Sequence, residues 1–217
     1  MATQTFSARV NGLTGINISD YDDLLNDWCS EGAIEVINHM PDDMLWQVAT
    51  TSTFNNNSSL TTLLNNKLLS VTMTDGTREQ PCREIPVAMA GRAGDSTDMA
   101  YATVADPVYY KVSDGAAPKI KALPDSTSPV RLCTVHHVTF VAVNAGSDTA
   151  IATFPNELEH VVVLYASIKA MEAMVTDKVV DDEDTELAAA RSAQYAWLKS
   201  EYDNSLKAIS AGKLGSA

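Results

Sequence analysis

The segment from Phe154 to Val175, FPNELEHVVVLYASIKAMEAMV, constrains this chain most: proline and glutamates open a helix whose apolar residues then fall on nearly every side. Such a helix needs cover on several faces, which predicts a helical bundle, an assembly interface, or both.

Helical periodicity recurs on both sides of an extended middle. Ser19 with Asp20, Asp22 and Asp23 supplies cap and acidic residues for a helix over about 19–40, along which Leu25, Trp28, Gly32, Val36 and Met40 recur. Pro41, Asp42 and Asp43 start a shorter helix to about Thr50, and TTSTFNNNSS then reads as an exposed loop. Near the other end, VVDDED forms an acidic turn before a last helix over about 185–209, with Leu187, Arg191, Tyr195, Leu198, Tyr202, Leu206 and Ile209 in one stripe. The short link makes the last two helices an antiparallel hairpin.

From Lys67 the period changes to that of strands. LLSVTMT, the Asp75-Gly76 turn signal and REQPCREIPVAM predict a hairpin, followed by extended runs at MAYATV, PVYYKV, PKIKAL and PVRLCTVHHVTFVAV. Neither alternating face of the last run is convincingly polar, so it is expected to be covered on both sides.

Charge follows the same division. Residues 1–66 hold 8 acidic and 1 basic side chains, 67–153 hold 9 and 8, and 154–217 hold 11 and 6, giving −7, −1 and −5 of the total −13. The expected fold is α+β: an antiparallel helical bundle from both termini (19–66 and 154–210) with an inserted β-rich module (67–153) and flexible arms at 1–18 and 211–217.

The net charge of −13 argues against a sequence-independent nucleic-acid binder and against an anionic membrane surface. MATQTFSARVNGLTG has neither a basic leader nor an apolar run, and no stretch is long enough for a membrane span. The 3 cysteines, Cys29, Cys82 and Cys133, are unpaired in pattern and predict reduced, buried thiols.

Constellations that carry chemistry are weak. Adjacent His136 and His137, with His39, His160 and Cys133, invite a zinc site, but neighbouring strand residues point to opposite faces. Asp181, Asp182, Glu183 and Asp184 lack the glycine turn and distal glutamate of a calcium loop. No GxSxG or phosphate loop is present, and Gly91-Arg92-Ala93-Gly94-Asp95 leads into polar turn residues and is expected to be a loop. The residues therefore predict no enzyme, no metal and no cofactor.

With LLSVTMTDGTREQPCREIPVAM, YATVADPVYYKV, FPNELEHVVVLYASIKAMEAM and an acidic break before a last helix, the chain resembles the head-to-tail connector family of tailed bacteriophages, also called adaptor or neck proteins. The resemblance spans most of residues 19–210. It implies a virion protein made in the host cytoplasm, forming a dodecameric ring at the neck. The ring would bind the portal above and a tail or nozzle protein below, and packaged DNA would pass its lumen without sequence-specific binding. It also implies a portal-docking tail at Ala211, Gly212, Lys213, Leu214, Gly215, Ser216 and Ala217. An acidic lumen would repel phosphate over roughly 8 Å at physiological salt.

Candidate assembly residues are Trp28, Leu158, Val162, Tyr165, Ile168, Tyr195, Leu198 and Tyr202. Two other readings remain open at this point: a tail-tube or tail-terminator component, and a soluble enzyme or ligand-binding protein using His136 and His137.

Overall fold

A computed structural model describes residues 4–16, 21–61, 66–74, 76–113, 118–126, 129–178 and 185–212. The protein contains both helices and sheets, and it divides into two compact units, residues 1–48 with 140–217 and residues 49–139.

The first unit contains α1 (Phe6–Thr14), α2 (Asp22–His39), α3 (Asp42–Gln47), α5 (Glu159–Lys178) and α6 (Thr185–Ser210). Helix α5 packs against α1, α2 and α6, which explains its sequence: Val161, Val162, Val163, Leu164, Ala166, Ala170 and Met171 are all buried. With neighbours on several sides, the apolar circumference is used within the chain.

Residues 1–18 are not an arm throughout. Phe6 and Val10, spaced by one helical turn, are fully buried on α1. Thr5 caps the start by accepting from the Ala8 amide at 3.3 Å, and Gly15, at φ 65°, closes the end. The terminal carbonyls of α1 are taken by α6: Arg191 Nη1 donates to Thr14 O at 2.6 Å and Gln194 Nε2 to Leu13 O at 2.7 Å.

Residues 140–158 also belong to this unit, whereas the expected β module ran to 153. Backbone N–H groups of Val143 and Ala145 donate to Ser30 Oγ (2.9 Å) and Asn26 Oδ1 (2.7 Å) on α2, while Ser7 N–H of α1 donates to Ala145 O at 2.9 Å. Strand-like composition is overridden here by side-chain acceptors that satisfy an irregular backbone.

The second unit is two four-stranded sheets. One has the order β1-β8-β3-β4, from β1 (Thr50–Asn55), β3 (Asn66–Thr74), β4 (Glu79–Pro81) and β8 (Leu132–Thr139); the other has β2-β7-β6-β5, from β2 (Leu60–Thr61), β5 (Arg83–Glu84), β6 (Val108–Ser113) and β7 (Pro118–Leu123). Phe54, Val71, Met73, Cys133 and Val135 of the first sheet share a core with Tyr109, Ile120 and Ala122 of the second.

Several local expectations change. The run 50–59 is not all loop: its Thr-rich start has the stiffness and propensity of a strand and pairs antiparallel with β8 along all of β1, leaving only the asparagines and serines to turn. MAYATV forms turns instead of a strand, because Asp95 and Asp98 accept from Thr97 N–H at 2.9 Å and Ala100 N–H at 2.8 Å. Of Gly91 to Asp95, expected as loop, all but Asp95 lie in the short helix α4 (Ala90–Gly94), with Arg92 bridged to Asp98 at 2.9 Å. Strand β8 stops at Thr139, and its faces are unequally covered: Cys133, Val135 and His137 are buried on one, while on the other Val138 is buried, Thr134 and His136 are half-buried and Leu132 is exposed.

Candidate assembly surfaces

Helix α2 approaches α5 closely at Gly32. A Cβ placed there would lie 3.0 Å from Tyr165 Cδ1 and 3.1 Å from Tyr165 Cβ, so glycine is what lets the ring lie against α2. Tyr165 is half-buried and donates from its hydroxyl to Glu31 Oε2 at 3.3 Å. Its ring sits 5.8 Å from that of Tyr202, tilted by 53°, and Lys169 Nζ lies 5.7 Å from its centroid. Burial, then the nearby Glu31 and Glu35, push the Tyr165 phenol up to about 12.

Tyr202 is buried, and its hydroxyl lies near Glu35 without reaching hydrogen-bond geometry. Desolvation and that carboxylate raise its pKa far above the usual range. Nearer the surface, the Tyr195 hydroxyl donates to Glu172 Oε1 at 2.9 Å, and Lys169 bridges to Glu172 Oε2 at 3.3 Å. Tyrosines on α5 and α6 are thus ringed by Glu31, Glu35 and Glu172. The sequence signal for the carboxylates on α2 was their spacing of one turn, visible but not singled out.

The candidate assembly residues separate into two groups. Leu158, Val162, Ile168, Leu198 and Tyr202 are buried within the chain, the first two and Leu198 completely. They form core and offer almost no surface to a neighbour, because facing helices already cover them. Trp28, Tyr165 and Tyr195 stay half-buried; Trp28 stacks obliquely on Tyr21 with centroids 6.3 Å apart. Among the described residues the large exposed apolar groups of this unit are Leu24, Trp46 and Trp197, the last 55% exposed beside fully buried Leu198. Within the tail candidates, Ala211 and Gly212 form the turn ending α6, with Gly212 N–H donating to Ile209 O at 2.8 Å; Lys213 to Ala217 lie outside the described residues, as do Asp181 to Asp184.

In the β unit, His137 is buried against β1, with Nε2 2.9 Å from Ser52 Oγ and Nδ1 3.4 Å from Thr50 Oγ1. Burial and the adjacent His136 lower its pKa from the ordinary 6.5. Among the described residues no group of three or more His, Cys, Asp or Glu side chains is placed to hold a metal ion. A polar cavity of about 300 Å³ is lined by Asn57, Ser58, Tyr110, Lys121 and Asp125, and by neither histidine. The three thiols are unpaired, and burial pushes each up to about 12.

Among the described residues no helix is long and apolar enough to cross a membrane. No protein-family model and no curated protein matches the chain.

Proposed function

We propose that this chain is a non-enzymatic head-to-tail connector, a virion subunit that forms a homo-oligomeric ring below a portal. The observation that carries the reading is the discontinuous helical unit: residues 1–48 and 140–217 pack together around α5, interrupted by the continuous β unit 49–139. This supports the architecture implied by the resemblance, an antiparallel bundle from both ends of the chain with an inserted β module.

The mechanism is mechanical. Lateral contacts hold subunits in a dodecameric ring, the helical body and the tail from Ala211 dock on the portal, and the β unit meets the next tail component. Residues 1–48 with 140–217 hold 20 acidic and 7 basic side chains, so helical surface facing the lumen would repel passing phosphate. Half-buried Trp28, Tyr165 and Tyr195 and exposed Trp197 are the surfaces proposed for subunit contact.

The test is co-assembly of the full chain with a purified portal from the phage that encodes it, followed by mass measurement and imaging. Dodecameric density beneath the portal is expected. A virion map that places the chain away from the head-to-tail junction overturns the reading. A monomer in the absence of portal does not, because the portal's free energy of binding contributes to assembly.

A further inference from the structure

Among its described residues the β unit has four sheet edges, and three are protected. Strand β4 has 3 residues and ends on Pro81, β5 has 2 residues, both charged, and β2 has 2 residues. Shortness, proline and charge are the usual means by which an edge avoids pairing with another chain. Strand β1 has none of them: it is 6 residues, TTSTFN, without charge, proline or glycine, in unbroken register with β8 from Thr50↔His137 to Asn55↔Leu132.

The direction of its backbone groups follows from one bond. Asn56 N–H donates to Arg131 O at 2.9 Å, continuing the β1–β8 register, and amides alternate sides along a strand. Thr50, Ser52 and Phe54 therefore turn their N–H and C=O toward β8, while Thr51, Thr53 and Asn55 turn theirs to the outer edge. The last carbonyl fits this, since Asn55 O accepts from Ser58 N–H at 2.9 Å in the following turn. Thr51, Thr53 and Asn55 are exposed and Phe54 is buried.

We propose that β1 is the edge through which one copy of the chain pairs with a second copy, antiparallel and about a two-fold axis. Residues directly opposite in an antiparallel ladder share a face, so Phe54 stays on the core side only when odd residues oppose odd ones. Placing the axis at Thr53 satisfies this. Thr53 then exchanges both hydrogen bonds with Thr53 of the second copy, and Asn55 N–H donates to Thr51 O, the Asn55 carbonyl being held by Ser58 in its own turn.

A second copy is the occupant because the uncharged edge is self-complementary about Thr53, and net charge at the β unit does not oppose the contact. Residues 49–139 hold 8 acidic and 8 basic side chains, whereas the rest of the chain carries the entire −13. Two copies repel through the helical unit but meet without net charge at the β unit. An edge-only contact of this length falls below the roughly 1,200 Å² of a standard interface, so the pair is weak and forms at high concentration. Salt strengthens it by screening the helical charges. A two-fold contact closes at two copies and is separate from the lateral contacts of a ring.

The test is sedimentation of the full chain from about 10 μM to about 1 mM, the range in which such weak pairs dissociate, at low and high salt. A concentration-dependent dimer favoured by salt is expected. Thr53→Pro removes an outward N–H and leaves the β1–β8 ladder intact; it should weaken the dimer at least about tenfold, or about 1.4 kcal/mol, with an unchanged far-UV spectrum. Thr53→Lys, which keeps the N–H but sets two cations on the axis, should weaken it as well.

Under mild oxidation Thr53→Cys should give a covalent dimer, because opposed Cα atoms of a hydrogen-bonded pair lie about 5.5 Å apart. Thr51→Cys should not, its two copies being about 14 Å apart along the strands. A monomer throughout, a dimer indifferent to both Thr53→Pro and Thr53→Lys, or cross-linking by both cysteine variants or by neither overturns the proposal. Portal-bound rings without β1 dimers would remove this contact and leave the connector reading standing; β1 dimers without rings would do the reverse.

Discussion

Arg9 on α1 donates to Glu159 at the start of α5 across 2.8 Å, and the Glu159 side chain is only 6% exposed. The second Arg9 nitrogen donates to Thr149 O at 2.7 Å, and the other Glu159 oxygen accepts from Ile151 N–H at 3.0 Å. One ion pair thus joins α1, the 140–158 segment and α5, with its spare hydrogen-bonding capacity used on backbone.

Removing one partner of this pair should cost far more than the pair contributes in net terms. Arg9→Met leaves a buried carboxylate without its cation, for which a loss of about 3 kcal/mol is expected, the low end for buried pairs because Arg9 is partly exposed. Glu159→Gln, which keeps an acceptor for Ile151 N–H, should lose less. Urea midpoints of the two variants check the order.

Gly32→Ala tests the α2–α5 approach. Alanine gains about 1 kcal/mol of helix propensity, but its Cβ would sit 3.0 Å from the Tyr165 ring. A rigid ring held between α2 and Tyr202 cannot yield cheaply, so a net loss of about 1–2 kcal/mol is expected from overpacking. In a Tyr165→Ala background the same change should become neutral or stabilising. A double-mutant cycle reads the reversal.

These two contacts also mark how far the sequence could be read. The apolar circumference of α5 announced neighbours on several sides, and α2, α5 and α6 follow from periodicity alone. Periodicity could not say whether those neighbours were other helices of the chain or other subunits, so Leu158, Val162 and Leu198 were candidates for an interface and proved to be core. Helix α1 was missed because 9 residues with Gly12 inside give a weak pattern, although Phe6 and Val10 carried it. Strand β1 was hidden by composition: Thr and Asn serve turns and exposed strands alike, and only pairing with β8 decides between them.

His137 makes stability depend on pH. Its folded pKa is depressed below the ordinary 6.5 by burial and by His136, so the unfolded chain binds the proton more tightly. The contribution is fully present above pH 6.5 and is lost as pH falls through the lower folded value. Unfolding free energies of wild type and His137→Gln, measured between pH 7.5 and pH 5.5, that is about one pH unit either side of the free imidazole value, should show the variant with the smaller loss on acidification. Parallel curves would remove His137 as the cause.

Thiol chemistry should report the cores of both units, through Cys29 on α2 and Cys133 on β8. Cys29 and Cys133 are buried and pushed up to about 12, leaving almost no thiolate near neutral pH. A thiol reagent at pH 8, below the ordinary thiol pKa of about 8.5, should leave both unmodified in the native chain. Half-buried Cys82, also raised to about 12, should react slowly, and all three should react on denaturation.

Trp197 and Leu198 are sequence neighbours on α6 with opposite environments, 55% exposed and fully buried. Leu198→Ala removes core volume and should destabilise the monomer by about 2–5 kcal/mol, a loss that urea unfolding reads without any partner. Trp197→Ser leaves the core untouched, and its effect on monomer stability should stay within about 0.5 kcal/mol. Any loss it causes in portal-dependent ring formation is then attributable to the surface. If Trp197→Ser assembles as well as wild type, the exposed face of α6 at that turn is not where subunits meet, and half-buried Trp28 and Tyr165 become the next surfaces to vary.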